Sequence, residues 1–79
     1  MNDNEKFVAR LSPVEREKIG TIISHILARK TAGLDIKKLR GYSNIFRVRI
    51  GRVRIIYIQD VEDVRIVQVG FRGEDTYKL

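Results

Sequence analysis

The feature that most limits what this chain can fold into is a run of alternating residues in its second half. Phe46-Arg47-Val48-Arg49-Ile50 sets apolar and basic side chains by turns, and a period of two is the mark of a half-buried strand. Gly51-Arg52 follows, then Val53-Arg54-Ile55-Ile56-Tyr57-Ile58. A Gly-X pair between two such runs suits a two-residue type II′ hairpin, because glycine tolerates the positive φ needed at the first turn position. That turn fixes a register: Ile50 opposite Val53, Arg49 opposite Arg54, Val48 opposite Ile55 and Phe46 opposite Tyr57. Paired residues share a face. Phe46, Val48, Ile50, Val53, Ile55 and Tyr57 are therefore the expected core face, and Arg47, Arg49 and Arg54 stand on the other. Like charges directly opposite each other destabilise a sheet. Setting Arg49 against Arg54 carries a cost that an anionic ligand would relieve.

The remaining elements follow from shorter signals. Asp60-Val61-Glu62-Asp63 reads as a polar turn, and Val64-Arg65-Ile66-Val67-Gln68-Val69 as a third strand. Short connections make the sheet antiparallel. The phase past Gly70 is open, because a glycine inside a strand marks a kink or bulge. Upstream, Ser12-Pro13-Val14-Glu15 reads as a capping box with proline at the first helical position. Ile19, Ile22, Ile23, Ile26 and Leu27 then form one apolar stripe, with Gly33 as the expected stop. Phe7, Val8 and Leu11 suggest a short preceding helix. The expected fold class is α+β: two N-terminal helices packed on a small antiparallel sheet, with residues 1–79 forming one domain.

Composition narrows the function. A chain of 79 residues buries little surface, and it has no cysteine for a disulfide and no cluster with metal-ligand spacing. No metal or cofactor is expected. The N-terminal MNDNEKF lacks the apolar run of a signal peptide, and no stretch is long enough to span a bilayer; a cytoplasmic location and no membrane partner are expected. The net charge of +6 is concentrated. Between residues 35 and 54, Lys37, Lys38, Arg40, Arg47, Arg49, Arg52 and Arg54 face one acid, Asp35. A basic patch this dense points to a polyanionic partner, against the plainer reading of a solvated surface with a high pI.

At this point the residues resemble a known family. Leu39-Arg40-Gly41-Tyr42, then Phe46-Arg47-Val48-Arg49-Ile50-Gly51, then Val53-Arg54-Ile55-Ile56-Tyr57, and the tail Val69-Gly70-Phe71-Arg72-Gly73-Glu74-Asp75-Thr76-Tyr77 are together similar to the pattern of the RelE/ParE toxin superfamily, over about residues 12–77. The resemblance implies a type II toxin–antitoxin toxin, RelE-like more than ParE-like. RelE-like members cut mRNA in the ribosomal A site, ParE-like members poison DNA gyrase, and an antitoxin usually wraps and silences either kind. By that resemblance Arg54 matches the hairpin arginine at the scissile phosphate. Arg47 and Arg49 match the paired basic residues of the preceding strand. Arg72 and Tyr77 match the closing arginine and tyrosine. The chain departs from the pattern in lacking a strand before the first helix, in having Phe71 where many members have histidine, in one extra residue between Arg72 and Tyr77, and in ending two residues after Tyr77.

Metal-free RNA cleavage has the 2′-hydroxyl attack the adjacent phosphorus. It needs a base, cations on the phosphorane and an acid for the leaving oxygen. The expected catalytic residues are Arg54, Arg72 and Tyr77. Arginine suits the phosphorane because it is always charged and can meet phosphate in bidentate fashion. Tyr77 is the candidate base, with a phenol pKa near ~10 in free solution that nearby arginines would lower. Arg47, Arg49, Lys37, Lys38, Arg40 and Arg52 are the expected RNA-binding set. His25, the single histidine, lies on the helix away from the basic segment and reads as structural. The expected partners are mRNA on the ribosome and a cognate antitoxin. A gyrase inhibitor, and a catalytically weakened toxin that mainly binds its antitoxin, stay open as alternatives.

Overall fold

The computed structural model describes residues 3–71. The order is α1 (Asp3–Ala9), α2 (Pro13–Leu27), β1 (Asp35–Lys38), β2 (Ile45–Ile50), β3 (Val53–Gln59) and β4 (Val64–Phe71). The four strands form an antiparallel meander in the order β1-β2-β3-β4. The α+β expectation holds, and among the described residues no strand precedes α1. β1 is an addition to the three expected strands. Its sequence Asp-Ile-Lys-Lys has one apolar residue, too little alternation to announce a strand. It is ordered by pairing with β2, Ile36 against Val48 and Lys38 against Phe46.

The hairpin takes the expected register. Ile50 pairs with Val53, Arg49 with Arg54, Val48 with Ile55 and Phe46 with Tyr57. Gly51 has φ +55° and its turn partner Arg52 does not share the positive φ, as a type II′ turn requires. The strand past Gly70 is now readable: Gly70 pairs with Arg54 and Phe71 with Val53. The irregularity falls earlier, between Ile56 and Tyr57 on β3, where β4 carries Val67 as an extra residue. A bulge of this kind re-aims side chains without ending the ladder.

One face of the sheet packs under the helices. Leu11, Ile19 and Ile26 join Val48, Val53, Ile55, Tyr57 and Phe71 in one buried cluster, with Phe7, Ile22, Ile23, Leu34, Ile36 and Phe46 packed against it. The Tyr57 ring stacks on Phe46 at 5.3 Å, and burial pushes its phenol pKa up. Leu27 departs from the expected stripe and is exposed. It lies about 80° around the helix from Ile19, at 3.6 residues per turn, on the flank of the buried face.

Both ends of α2 have identifiable causes. The capping box forms as read: the Ser12 hydroxyl accepts from the Glu15 backbone N–H at 3.2 Å, and the Glu15 carboxylate accepts from the Ser12 N–H at 2.9 Å. The stop comes before Gly33. The Lys30 N–H donates to His25 O and the Arg29 N–H to Ile26 O, a Schellman closure. Arg29 occupies the left-handed position at φ 59°, where glycine is usual. Its guanidinium donates to the carbonyls of Asp60 at 2.7 Å and Val61 at 3.3 Å. These bonds tie the helix exit to the β3–β4 turn and offset a strain of roughly 1–2 kcal/mol for a non-glycine residue there.

Candidate nucleic-acid interface

The sheet face turned away from the helices carries the candidate site. Strand alternation and register set its residues in two rows. Near the hairpin turn, Asp35, Arg49, Arg54 and Gly70 lie side by side across β1 to β4. One step along, Lys37, Arg47, Ile56 and Gln68 form the next row. Arg47 and Arg54 are partly buried, and Arg49 and Lys37 are exposed. Arg47 and Arg49 are two residues apart on one strand, about 7 Å at the usual rise, and Arg54 sits one strand over.

The face is not basic throughout. Ile45 pairs with Ile58 in the third row, and Ile45 and Ile56 are buried although neither belongs to the main core cluster. The basic half therefore lies toward Gly51, with an apolar half toward the β1–β2 loop. Strict alternation in β2 indicated the arginines. The consecutive apolar pair Ile55-Ile56 was the available signal for this second burial.

The seven basic residues of the segment divide by surroundings. Lys37, Arg47, Arg49 and Arg54 share the open face. Among the described residues, no side-chain hydrogen bond or ion pair engages Lys37, Arg47 or Arg49. Lys38 is on the core side, with its ammonium 5.8 Å from the Phe46 ring. Arg40 is exposed in the β1–β2 turn, beside Gly41 at φ 87°.

Arg52, expected in the RNA-binding set, is placed against the helices instead. Its Nε donates to Glu15 Oε2 at 2.7 Å and its Nη2 to Glu15 Oε1 at 2.9 Å, a bidentate grip. Nη2 also reaches the Arg10 carbonyl at 3.2 Å. The Arg52 side chain and its bond to the carboxylate, with the Ser12 backbone bond second, hold the Glu15 pKa down at about 2. Arg10 and Arg52 both lie against the Phe71 ring, at 4.4 and 4.5 Å from its centroid, and Phe7 packs on it at 4.8 Å. Phe71 is thus a packing residue, with two guanidiniums and the Phe7 ring against it. The sequence pattern could not reveal this, because Arg10 and Glu15 come from the far end of the chain.

Arg72 and Tyr77 lie outside the described residues. His25 is exposed in the last turn of α2, which belongs to the helical layer and not to the open face. Tyr42 is exposed in the β1–β2 loop. No group of three His, Cys, Asp or Glu that could hold a metal stands among the described residues, and no described helix is long and apolar enough to cross a membrane.

Fold and face together define a class: a small α+β protein whose sheet is packed under helices on one side and lined with arginines on the other. Among solved structures the chain is similar to a chain of the RelB–RelE antitoxin–toxin complex from Methanococcus jannaschii, with 28% sequence identity and a TM-score of 0.69. The match covers 85% of this chain and 81% of that one. No family model matches the chain, and no curated protein matches it.

Proposed function

We propose that this protein is the toxin of a type II toxin–antitoxin pair and acts as a metal-independent endoribonuclease on mRNA at the ribosome. The observation that carries the reading is the open sheet face, where Arg47 and Arg49 have no described protein partner beside Arg54. Arginines that make no bond to the protein are held ready for an external anion, and a single-stranded polyanion fits their spacing along β2. The similarity to a chain of an antitoxin–toxin complex supports a cognate antitoxin as the protein partner. In this reading the chain acts as one domain in the cytoplasm.

The roles follow from charge and position. Arg54 stabilises the phosphorane, with Arg72 as a second cation and Tyr77 as the base. Arg47, Arg49 and Lys37 grip flanking phosphates, and Lys38 and Arg40 steer the RNA toward the face. Arg52 serves the fold through Glu15. No described histidine stands beside Arg54, and the carboxylate of its row, Asp35, is two strands away, so the ribosome must do much of the work of orienting the 2′-hydroxyl.

The test is expression with toeprinting on translating ribosomes. Growth arrest and new mRNA ends are expected with the wild type and neither with Arg54→Ala. Intact mRNA alongside inhibited gyrase would replace the nuclease reading with the gyrase one. Absence of toxicity together with tight antitoxin binding would leave a weakened toxin.

A further inference from the structure

Asp35 is the single acidic residue between positions 35 and 54, and the fold sets it among the cations. It pairs with Arg49, in the row that continues to Arg54. Its neighbour Ile36 packs on the core from the other face, so alternation turns Asp35 to the basic side. Asp35 is exposed, and among the described residues no hydrogen bond or ion pair engages its carboxylate. An exposed acid left beside a cation in this way adds little to folding. Its consequence is for whatever approaches Arg49. A phosphate bound there meets a carboxylate one strand away, and strands stand about 5 Å apart. At that range, repulsion between unit charges weakens binding by roughly three- to tenfold at low salt.

We infer that Asp35 is the affinity-limiting residue of this face. In its own row it confines the backbone of a bound RNA to Arg49 and Arg54 on β2 and β3, and it keeps the grip loose enough for release. In its row the phosphate track ends at β2. In the next row Lys37 extends it onto β1, so the strand of RNA enters obliquely from the Lys37 side. This rests on reading the face as an RNA track.

The experiment measures binding of a short oligouridine by the full chain, by fluorescence anisotropy across a salt series, for wild type, Asp35→Asn and Glu62→Gln. Glu62 lies in the β3–β4 turn and loses the same charge off the basic rows. Asp35→Asn is expected to bind roughly three- to tenfold more tightly at low salt. Its slope of log affinity against log salt is expected to steepen by up to about 0.7. The gain fades near ~1 M, where the Debye length is about 3 Å. Glu62→Gln is expected to gain less than about twofold, because the β3–β4 turn lies at the opposite end of β3 from the Arg49–Arg54 row. Equal affinities for Asp35→Asn and wild type, equal gains in both variants, or weaker binding by Asp35→Asn overturns the inference while RNA binding stands. Slower cleavage by Asp35→Asn at unchanged affinity would assign the carboxylate to proton transfer and overturn it as well. Wild-type binding that survives Arg47→Gln/Arg49→Gln removes the RNA track itself.

Discussion

On β2 and β3, alternate residues enter two different surroundings. Val48 and Ile55 face each other beneath the helices with no exposed surface. One step along, Arg49 and Arg54 face each other on the side the helices leave open. The same backbone ladder thus holds a buried apolar core on one face and a charged row on the other. A second contrast runs along the chain. Arg49 and Arg52 are three residues apart, yet Arg52 is bound to Glu15, the Arg10 carbonyl and the Phe71 ring, while Arg49 has no described partner. An arginine's part in this fold is decided by where its side chain reaches: Arg52 lies against the helical layer, where Glu15 and the Arg10 carbonyl stand, while Arg49 lies on the open face. Stability and binding are therefore separable by substitution.

The sharpest break in that comparison is a core truncation. Ile55→Ala is expected to cost about 2–5 kcal/mol, by lost burial plus the cavity left behind, read as a shift in the urea midpoint. RNA affinity of the folded fraction stays as in the wild type. A loss below about 1 kcal/mol would mean that the inner face is not the stabilising one.

The converse substitution is Arg47→Gln/Arg49→Gln. RNA affinity is expected to fall roughly 10- to 100-fold, or about 1.4–2.7 kcal/mol, and the salt slope to flatten by about 1.4 for two phosphates of a single strand. Stability moves by no more than about 0.5 kcal/mol, or rises slightly as repulsion in the row is relieved. Marked unfolding of this variant would contradict the division of labour between the faces.

Gly51→Ala probes the turn that sets both faces in register. No heavy atom lies within 4 Å of an added Cβ, so the cost is backbone strain at φ +55°, roughly 1–2 kcal/mol. A fully stable Gly51→Ala would show that the turn tolerates another conformation.

The smallest effect concerns the Arg52–Glu15 clasp and is seen through pH. The folded-state pKa of Glu15 is about 2, below its ordinary 4.5. The folded state thus resists protonation, and the carboxylate's contribution is complete above about pH 4.5 and lost as pH falls toward 2. Comparing melting temperatures of wild type and Glu15→Gln should show a gap at neutral pH that closes across that window. A gap independent of pH would assign the effect to packing and not to charge.

The local statements carried by the sequence were those with a short-range cause. The hairpin register follows from Gly51 and the two-residue period on either side. The start of α2 follows from Ser12, Pro13 and Glu15, and the basic character of one face from Arg47, Arg49 and Arg54. Each needs only neighbours a few residues away. β1 was not legible, because Asp-Ile-Lys-Lys becomes a strand by borrowing the ladder of β2. The end of α2 was missed because Arg29 holds a glycine's conformation with bonds to Asp60 and Val61, thirty residues on. The place of Arg52, expected in the RNA-binding set, was not legible for the same kind of reason. Its composition is that of a nucleic-acid contact, and its partner Glu15 is 37 residues distant. Asp35 gained its place beside Arg49 only when β1 docked. By itself, then, the sequence determined the α+β class, the hairpin and the presence of a basic face. The tertiary structure decided which cations belong to that face, because charge is a property of a residue and partnership is a property of the fold.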